Sequence, residues 1–355
     1  MLLIIAHYYV VNSGLTAADG PIYANPLSWR SLFLLIFGAW GKIGINCFVL
    51  ITGYFMCTSH ITVRKFIKLL AEVMFYRLVI NGVFWITGYR AFAITDFVKT
   101  LIPVTEIGTG FTNAFLVFYL CIPFLNVLIH NIGERKHIYL LILCFLTYIL
   151  LGTIPVFSIT MNYVSWFIVV YFIASYIRLY PKAVYENAKL WNWISISTVI
   201  LSIISVVACA WLGTKLQRSM AYGFVTDSNA FLAVITSIAL FTSFRNMRIG
   251  YSKAINTVAS STFGVFLIHT RGDTMRQWLW KDVWDNIGHY GSSLMPLHAI
   301  VSVLTIFVIC TVIDQFRIRF IEKTFFTLWD KHWDSIQTKY KTIETKITSK
   351  LGIQK

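Results

Sequence analysis

Residues 191–212 read WNWISISTVILSIISVVACAWL and contain no Asp, Glu, Lys or Arg. A helix rises 1.5 Å per residue, so this stretch would extend about 33 Å, close to the roughly 30 Å of a bilayer's hydrocarbon core. The stretch therefore predicts a helix that crosses a membrane.

The whole chain has the same character. Of its 355 residues, 57% are apolar and only 13% are charged, whereas a soluble domain carries about a quarter charged residues. So few polar groups could not cover a globule of this size, which excludes a soluble enzyme, a disordered protein and a disulfide scaffold. We predict an all-α, polytopic membrane bundle.

The apolar runs predict about ten spans, at 1–12, 42–58, 66–88, 112–130, 138–154, 163–180, 191–212, 230–244, 259–270 and 294–316. Ten spans place both termini on one side. If that side is cytoplasmic, 20 of the 30 Lys and Arg residues lie there and nine lie outside, as the positive-inside rule requires. Anionic membrane lipids thus account for the net charge of +15, and we expect no nucleic-acid partner.

Residues 1–316 are predicted to form the transmembrane domain, and 317–355 a basic cytoplasmic tail. The tail places apolar side chains three and four residues apart, which is typical of an amphipathic helix: Phe325, Trp329, Trp333, Ile336, Tyr340, Ile343, Ile347 and Leu351. We expect this helix to lie on the membrane surface; a coiled-coil partner is the alternative.

Ionisable residues within membrane spans are costly and are candidates for function. Here they are His7, Glu72, Arg77, His269 and Asp314. A neutral imidazole can accept a proton near pH 7 and return it to a leaving group. The structural alternatives are hydrogen bonds between helices for the histidines and a mutually neutralising pair for Glu72 and Arg77.

The six cysteines lie in apolar runs without CxxC spacing or clustered histidines. They are interpreted as small core residues, and neither a disulfide framework nor a metal site is predicted. No bound cofactor is expected.

Several motifs occur in a fixed order along the chain. They are Phe48-Val49-Leu50-Ile51-Thr52-Gly53, Lys65-Phe66-Ile67-Lys68, residues 115–120 with 123–126, Trp166-Phe167 with Tyr171, and residues 262–269, which end in His269. In this order they resemble the membrane-bound acyltransferase family 3, the integral-membrane O-acyltransferases of bacterial surface glycans.

The resemblance implies a bacterial cell-membrane enzyme that uses cytoplasmic acyl-coenzyme A, most simply acetyl-coenzyme A, as co-substrate. The acceptor would be a hydroxyl of a cell-surface polysaccharide or of its lipid-linked precursor. His7 would act as general base on the acceptor hydroxyl or hold the acyl group briefly as a nucleophile, and His269 would orient it or line the acceptor side.

The same resemblance implies a donor site. Arg64, Lys65 and Lys68 would neutralise the phosphates of coenzyme A, and Thr52-Gly53 would allow close approach of its pantetheine arm. The alternatives are positive-inside residues for the three cations and close helix packing for Gly53.

Three tryptophans, Trp278, Trp280 and Trp284, follow the ninth predicted span. They would stack on the sugar rings of the acceptor. An interfacial aromatic belt is the alternative.

The chain departs from the family pattern at its start. The family has an Arg ten residues before its catalytic His, and that position would precede Met1. The 11 apolar residues of the first span would rise only about 16 Å. We therefore expect the chain to begin late within its first span.

Two other functions remain open at this point. One is a non-enzymatic transporter or flippase for a lipid or sugar precursor, although such proteins usually contain paired repeats, which the sequence lacks. The other is a relative of the acyltransferases without catalytic activity.

Overall fold

The computed structural model describes residues 1–102, 110–154, 162–225 and 227–350, with backbone alone at 334–337, 340, 341 and 344–350. The described residues form helices joined by turns and loops, and no strand occurs among them. This confirms the predicted all-α bundle.

The first half of the chain forms helices α1 to α9 and a π-helical turn, π1. Their bounds are α1 Leu2–Val11, α2 Pro21–Ala24, α3 Trp29–Gly38, α4 Gly41–Met56, α5 Val63–Ile86, α6 Ile94–Leu101, α7 Phe111–Asn131, α8 Gly133–Cys144, π1 Phe145–Leu150 and α9 Leu151–Thr153.

The second half forms helices α10 to α19 and two further π-helical turns, π2 and π3. Their bounds are α10 Tyr163–Leu179, α11 Ala183–Glu186, α12 Ala188–Leu216, α13 Phe231–Arg245, α14 Lys253–Ser260, α15 Thr262–His269, α16 Gly272–Gln277, π2 Trp278–Val283, α17 Asn286–His289, α18 Met295–Phe316, π3 Arg317–Glu322 and α19 Lys323–Lys350.

Six helical stretches among the described residues are long and apolar enough to cross a membrane: Trp29–Met56, Val63–Ile86, Phe111–Asn131, Gly133–Thr153, Ala188–Leu216 and Met295–Trp333. Three shorter apolar helices, α1, α10 and α13, join them. Together these elements correspond to nine of the predicted spans.

The predicted span at 259–270 differs from the others. It is divided at Ser261 into two helices, α14 and α15, of eight residues each. Gln315 of α18 donates hydrogen bonds to Thr257 O at 2.8 Å and to Ser261 Oγ at 2.7 Å. A side chain thus binds the backbone and hydroxyl groups at the end of α14, where the helix stops.

Side-chain caps begin several of these helices. Thr62 accepts a hydrogen bond from Lys65 N at the start of α5, and Asn162 accepts one from Ser165 N at the start of α10. Each cap satisfies a backbone N–H group that has no partner within the helix. The caps mark the residues at which α5 and α10 begin.

Helix α4 packs against α1, α10 and α13, and α1 packs against α3, α4 and α18. Small residues allow these close approaches: a Cβ built on Gly53 of α4 would lie 2.9 Å from Ala174 Cβ of α10. The result is that α1, with His7, lies inside the bundle although it has only ten residues.

Helix α5 has 24 residues and a length of about 36 Å, and it defines two ends of the bundle. At its start, Arg64 and Lys68 form ion pairs with Asp330 and Glu322 of the C-terminal helical region. We call this the tail end. Just beyond its other terminus, Tyr89 donates a hydrogen bond to Asp282, and we call that the cavity end.

The C-terminal region continues from α18 through π3 into α19. The rings of Phe325, Trp329 and Trp333 follow one another along α19, with centroid separations of 6.1 and 5.6 Å, and Ile343 is exposed. The predicted stripe also includes Ile336, Tyr340, Ile347 and Leu351, and these four side chains lie outside the described residues.

Candidate active site

A cavity of about 740 Å³ lies among α1, α4, α5, α7, α10 and the segment around α16. Its polar lining consists of His7, Tyr8, Lys42, Tyr76, Arg77, Asn81, Arg90, Asp96, Lys99, Thr100, Thr112, Asn113, Tyr163, Thr270, Arg271, Asp273, Thr274 and Arg276. Lys99 and Asp273 are exposed, so the cavity reaches the surface at the cavity end.

His7 lies on the wall of this cavity in a defined orientation. Its Nδ1 lies 2.6 Å from the carbonyl oxygen of Gly38. A carbonyl only accepts hydrogen bonds, so Nδ1 carries the proton in the neutral ring, and Nε2 holds the lone pair. This tautomer leaves one nitrogen able to accept a proton.

Gly41 at the start of α4 lies against the same ring. A Cβ atom built on Gly41 would lie 2.3 Å from His7 Cγ, much closer than the 3.5–4.0 Å of ordinary carbon contacts. The turn between α3 and α4 therefore holds His7 from two sides, through Gly38 and Gly41.

Lys42 also lines the cavity, although none of the sequence motifs points to it. Its Nζ donates a hydrogen bond to Tyr163 Oη at 2.8 Å. A signal was present in the sequence, because Lys42 is the only Lys, Arg, Asp or Glu between Arg30 and Arg64. An isolated charge at the start of an apolar span is a candidate for function.

His269 ends α15 and is completely buried. Its Nδ1 lies 2.6 Å from Val265 O, and its Nε2 has no hydrogen-bond partner among the described residues. The ring of Tyr8 lies between the two histidines, with centroids 5.8 Å from His7 and 5.6 Å from His269. The fold thus brings the two predicted catalytic residues to one place, although His269 does not line the cavity.

The three predicted donor-site cations lie at the tail end. Arg64 binds both carboxylate oxygens of Asp330, Lys68 pairs with Glu322 at 2.6 Å, and Lys65 donates to the backbone carbonyl of His60. The side chains of Arg64 and Lys68 remain about half exposed, at 48% and 51%.

Thr52 and Gly53 lie in the helix interface and not on the cavity wall. The Thr52 hydroxyl donates to Phe48 O at 3.0 Å within α4. Gly53 faces Ala174 and Tyr171 of α10, which is the close packing that the sequence left as an alternative. Their assignment to the donor site stays a prediction.

The three tryptophans have different surroundings, and none lines the cavity. Trp280 is fully buried against the ring of Tyr9, so neither of its faces is open to a sugar in this conformation. Trp278 is 38% exposed beside Phe84, and Trp284 packs on His298. Their assignment to the acceptor site stays a prediction.

Glu72 and Arg77 do not form the mutually neutralising pair that the sequence offers as their structural alternative, so that alternative was wrong. Residues five apart lie about 140° apart around a helix, so the two side chains point in different directions. Glu72 instead forms an ion pair with Arg317 at 3.0 Å. Arg77 donates to the backbone carbonyls of Lys99, Thr100 and Ile102.

The partner of Glu72, Arg317, is the centre of a buried charge cluster. It also contacts Asp314 and Glu322, each at 2.8 Å, and Tyr76 donates a hydrogen bond to Asp314 at 2.7 Å. Three carboxylates around one guanidinium satisfy much of its hydrogen-bonding capacity. The cluster joins α5, α18 and π3 on the side of the cavity that faces the tail end.

Comparison with known proteins gives one match. The model of acyltransferase family 3, described as an acyltransferase domain, matches residues 1–314. Neither a search of curated proteins nor a search of solved structures found a match. With 314 of 355 residues matched and several helices able to cross a membrane, the chain belongs to acyltransferase family 3 and is a multi-pass membrane acyltransferase.

Proposed function

We propose that this acyltransferase moves an acyl group, acetyl in the simplest case, from cytoplasmic acyl-coenzyme A to a hydroxyl of a cell-surface polysaccharide or its lipid-linked precursor. His7 is the general base of the reaction. The observation that carries this proposal is the position of His7 on the wall of a polar cavity, with Nδ1 bound to Gly38 O and Nε2 left as the proton acceptor.

The reaction follows from this tautomer. Nε2 of His7 accepts the proton of the acceptor hydroxyl while the hydroxyl oxygen attacks the thioester carbonyl carbon. The bond from that carbon to sulfur then breaks, and the coenzyme A thiolate takes the proton from the His7 imidazolium. The products are an ester on the acceptor and free coenzyme A.

The polar lining supports a glycan acceptor. The lining contains the phenolic hydroxyls of Tyr8 and Tyr163 and the carboxamide of Asn113. Such groups form hydrogen bonds with sugar hydroxyls. His269 contacts Tyr8 from the buried side. We assign it a positioning role, since its packing holds the Tyr8 ring beside His7.

The donor is assigned to the opposite end. The three cations Arg64, Lys65 and Lys68 lie on the first turns of α5. Arg77 lies on the cavity wall, about 18 Å further along the axis of α5. Since Arg64 pairs with Asp330 and Lys68 with Glu322, the phosphates of coenzyme A would compete with these two carboxylates at the tail end. The excess of basic residues at this end supports a cytoplasmic orientation with the tail inside.

The proposal is tested with membranes that contain the full chain and with acyl-coenzyme A labelled on the acyl group. We expect release of free thiol together with label in the polysaccharide fraction, and loss of both signals for His7→Gln at equal protein level. Glutamine keeps a hydrogen-bonding side chain at this position but cannot act as the base. A His7→Gln variant that still labels the polysaccharide at the wild-type rate would contradict the assignment.

A further inference from the structure

The cavity around His7 carries a marked excess of positive charge. Among the residues that the structure describes, its lining includes six basic side chains, Lys42, Arg77, Arg90, Lys99, Arg271 and Arg276, and two acidic ones, Asp96 and Asp273. A glycan without charge needs hydrogen-bonding groups but no such excess. Low-dielectric walls around charges of one sign strengthen the local potential and concentrate ligands of the opposite sign.

The two acidic residues of the lining are already engaged. Asp96 forms an ion pair with Arg90 at 2.5 Å, and Asp273 forms one with Arg276 at 3.2 Å. Arg77 is bound to the backbone carbonyls at the end of α6. These contacts order the part of the cavity wall formed by residues 90–100 and 273–276, and both carboxylates lie there.

Lys42 is in a different situation, because it is partly buried and lines the same cavity as His7. It follows Gly41, whose backbone contacts the His7 ring. Its ammonium group donates a hydrogen bond to a neutral group, the Tyr163 hydroxyl, and no carboxylate of the described residues lies within ion-pair distance of it. A partly buried cation is stabilised strongly when an anion binds to it.

We propose that the acceptor is an acidic glycan, whose carboxylate or phosphate group lies next to the hydroxyl that is acylated and is bound by Lys42. This inference rests on the proposed function and specifies its substrate class. Lys42 and His7 are adjacent on the cavity wall, so an anion held by Lys42 presents a neighbouring hydroxyl to Nε2 of His7. Lys99, which is exposed at the opening, attracts such a glycan by its charge.

Binding of small sugars to the purified full chain in detergent tests this proposal without relying on turnover. The probes are D-glucuronate, D-glucose 6-phosphate and D-glucose, and the readout is the shift of the thermal unfolding midpoint with sugar concentration. We expect at least one anionic sugar to stabilise the wild type at concentrations where glucose has no effect. Equal responses to all three sugars would overturn the proposal.

Variants locate the effect at Lys42. Lys42→Met should weaken binding of the anionic sugar by about tenfold or more, the cost of one hydrogen bond to a charged group, and Lys42→Arg should restore much of it. Lys215→Met is the matched control, because Lys215 is an exposed lysine of the same end that does not line the cavity. Unchanged binding in Lys42→Met would overturn the proposal. If that variant does not fold, Lys42→Gln is measured instead, and unaltered binding there has the same meaning.

Kinetics separate the acceptor from the phosphates of the donor. Lys42→Met should raise KM for an acidic glycan acceptor and leave KM for acyl-coenzyme A within about twofold. If only KM for acyl-coenzyme A rises, the cavity binds the donor and the proposal is wrong. Anionic-sugar binding without any acyl transfer would instead contradict the proposed function, and transfer to a neutral glycan without anionic-sugar binding would contradict the acidic acceptor alone.

Discussion

The His7 ring occupies the space that a side chain at Gly41 would fill. A Cβ on Gly41 would lie 2.3 Å from His7 Cγ, 2.5 Å from His7 Cβ and 2.6 Å from His7 Cδ2. These contacts are with the root of a short side chain that is already held by Gly38 through a 2.6 Å hydrogen bond. A side chain at position 41 therefore requires the His7 ring or α1 itself to move.

The first prediction concerns this contact. Gly41→Ala should reduce acyl transfer by on the order of 10²-fold, because a displacement of about 1 Å of a catalytic group has an effect of that size. Transfer of labelled acyl groups to the glycan measures it, at matched expression. Gly82→Ala is the control: it is also a helical glycine, and among the described residues nothing lies within 4 Å of its added Cβ. Equal activities of the two variants would show that the position of His7 is not critical.

The second prediction removes the base. His7→Ala should lower kcat by about 10²–10⁴-fold, the usual contribution of a general base, with insertion into the membrane unchanged. The measurement is release of free coenzyme A thiol in membranes, normalised to the amount of protein. Activity near the wild-type level would assign the proton transfer to another group.

The third prediction concerns the donor cations. Lys65→Ala combined with Lys68→Ala should raise KM for acyl-coenzyme A more than it lowers kcat, because phosphate contacts far from the thioester bind ground and transition states alike. The difference from wild type should shrink in high salt, which screens exposed charges. A reversed membrane orientation of the double variant, detected by labelling of engineered cysteines, would show that the two lysines determine topology instead.

The fourth prediction concerns the competition between the tail and the donor. Asp330 binds Arg64 through two hydrogen bonds of 3.0 and 2.9 Å. Asp330→Asn should release this guanidinium and lower KM for acyl-coenzyme A. Asp282→Asn, which changes an exposed carboxylate at the cavity end, is the control and should leave that KM unchanged. A higher KM in Asp330→Asn would mean that the ion pair orders Arg64 for donor binding.

The fifth prediction concerns stability. Arg317→Met removes the cation that contacts Glu72, Asp314 and Glu322 together, and breaking a buried ion pair in this way typically costs about 3–5 kcal/mol. Arg319→Met, an exposed arginine two residues away, should change the free energy of unfolding by no more than about 0.5 kcal/mol. Unfolding by SDS in mixed micelles compares them. Similar midpoints would contradict a stabilising role for the cluster.

Much of the fold was predictable because a membrane span leaves a strong signal in local composition. A run such as 191–212 has one low-energy arrangement in a bilayer, a helix, whatever its neighbours are. The structure accordingly has α12 at Ala188–Leu216. The division of the span at 259–270 was less predictable, because hydrogen bonds from Gln315 meet the chain at that point. Gln315 lies 54 residues after Ser261 in the sequence.

The sequence by itself determined the class of the protein: its apolar runs require a helical membrane bundle, and its ordered motifs indicate the acyltransferase family. Only the tertiary structure decided which residues meet. It paired Glu72 with Arg317 instead of Arg77, and it placed Gly41 and Lys42 beside His7. The physical reason is that burial of apolar segments is set by local composition, whereas ion pairs and cavities depend on how distant helices pack, and that information is not contained in any one segment.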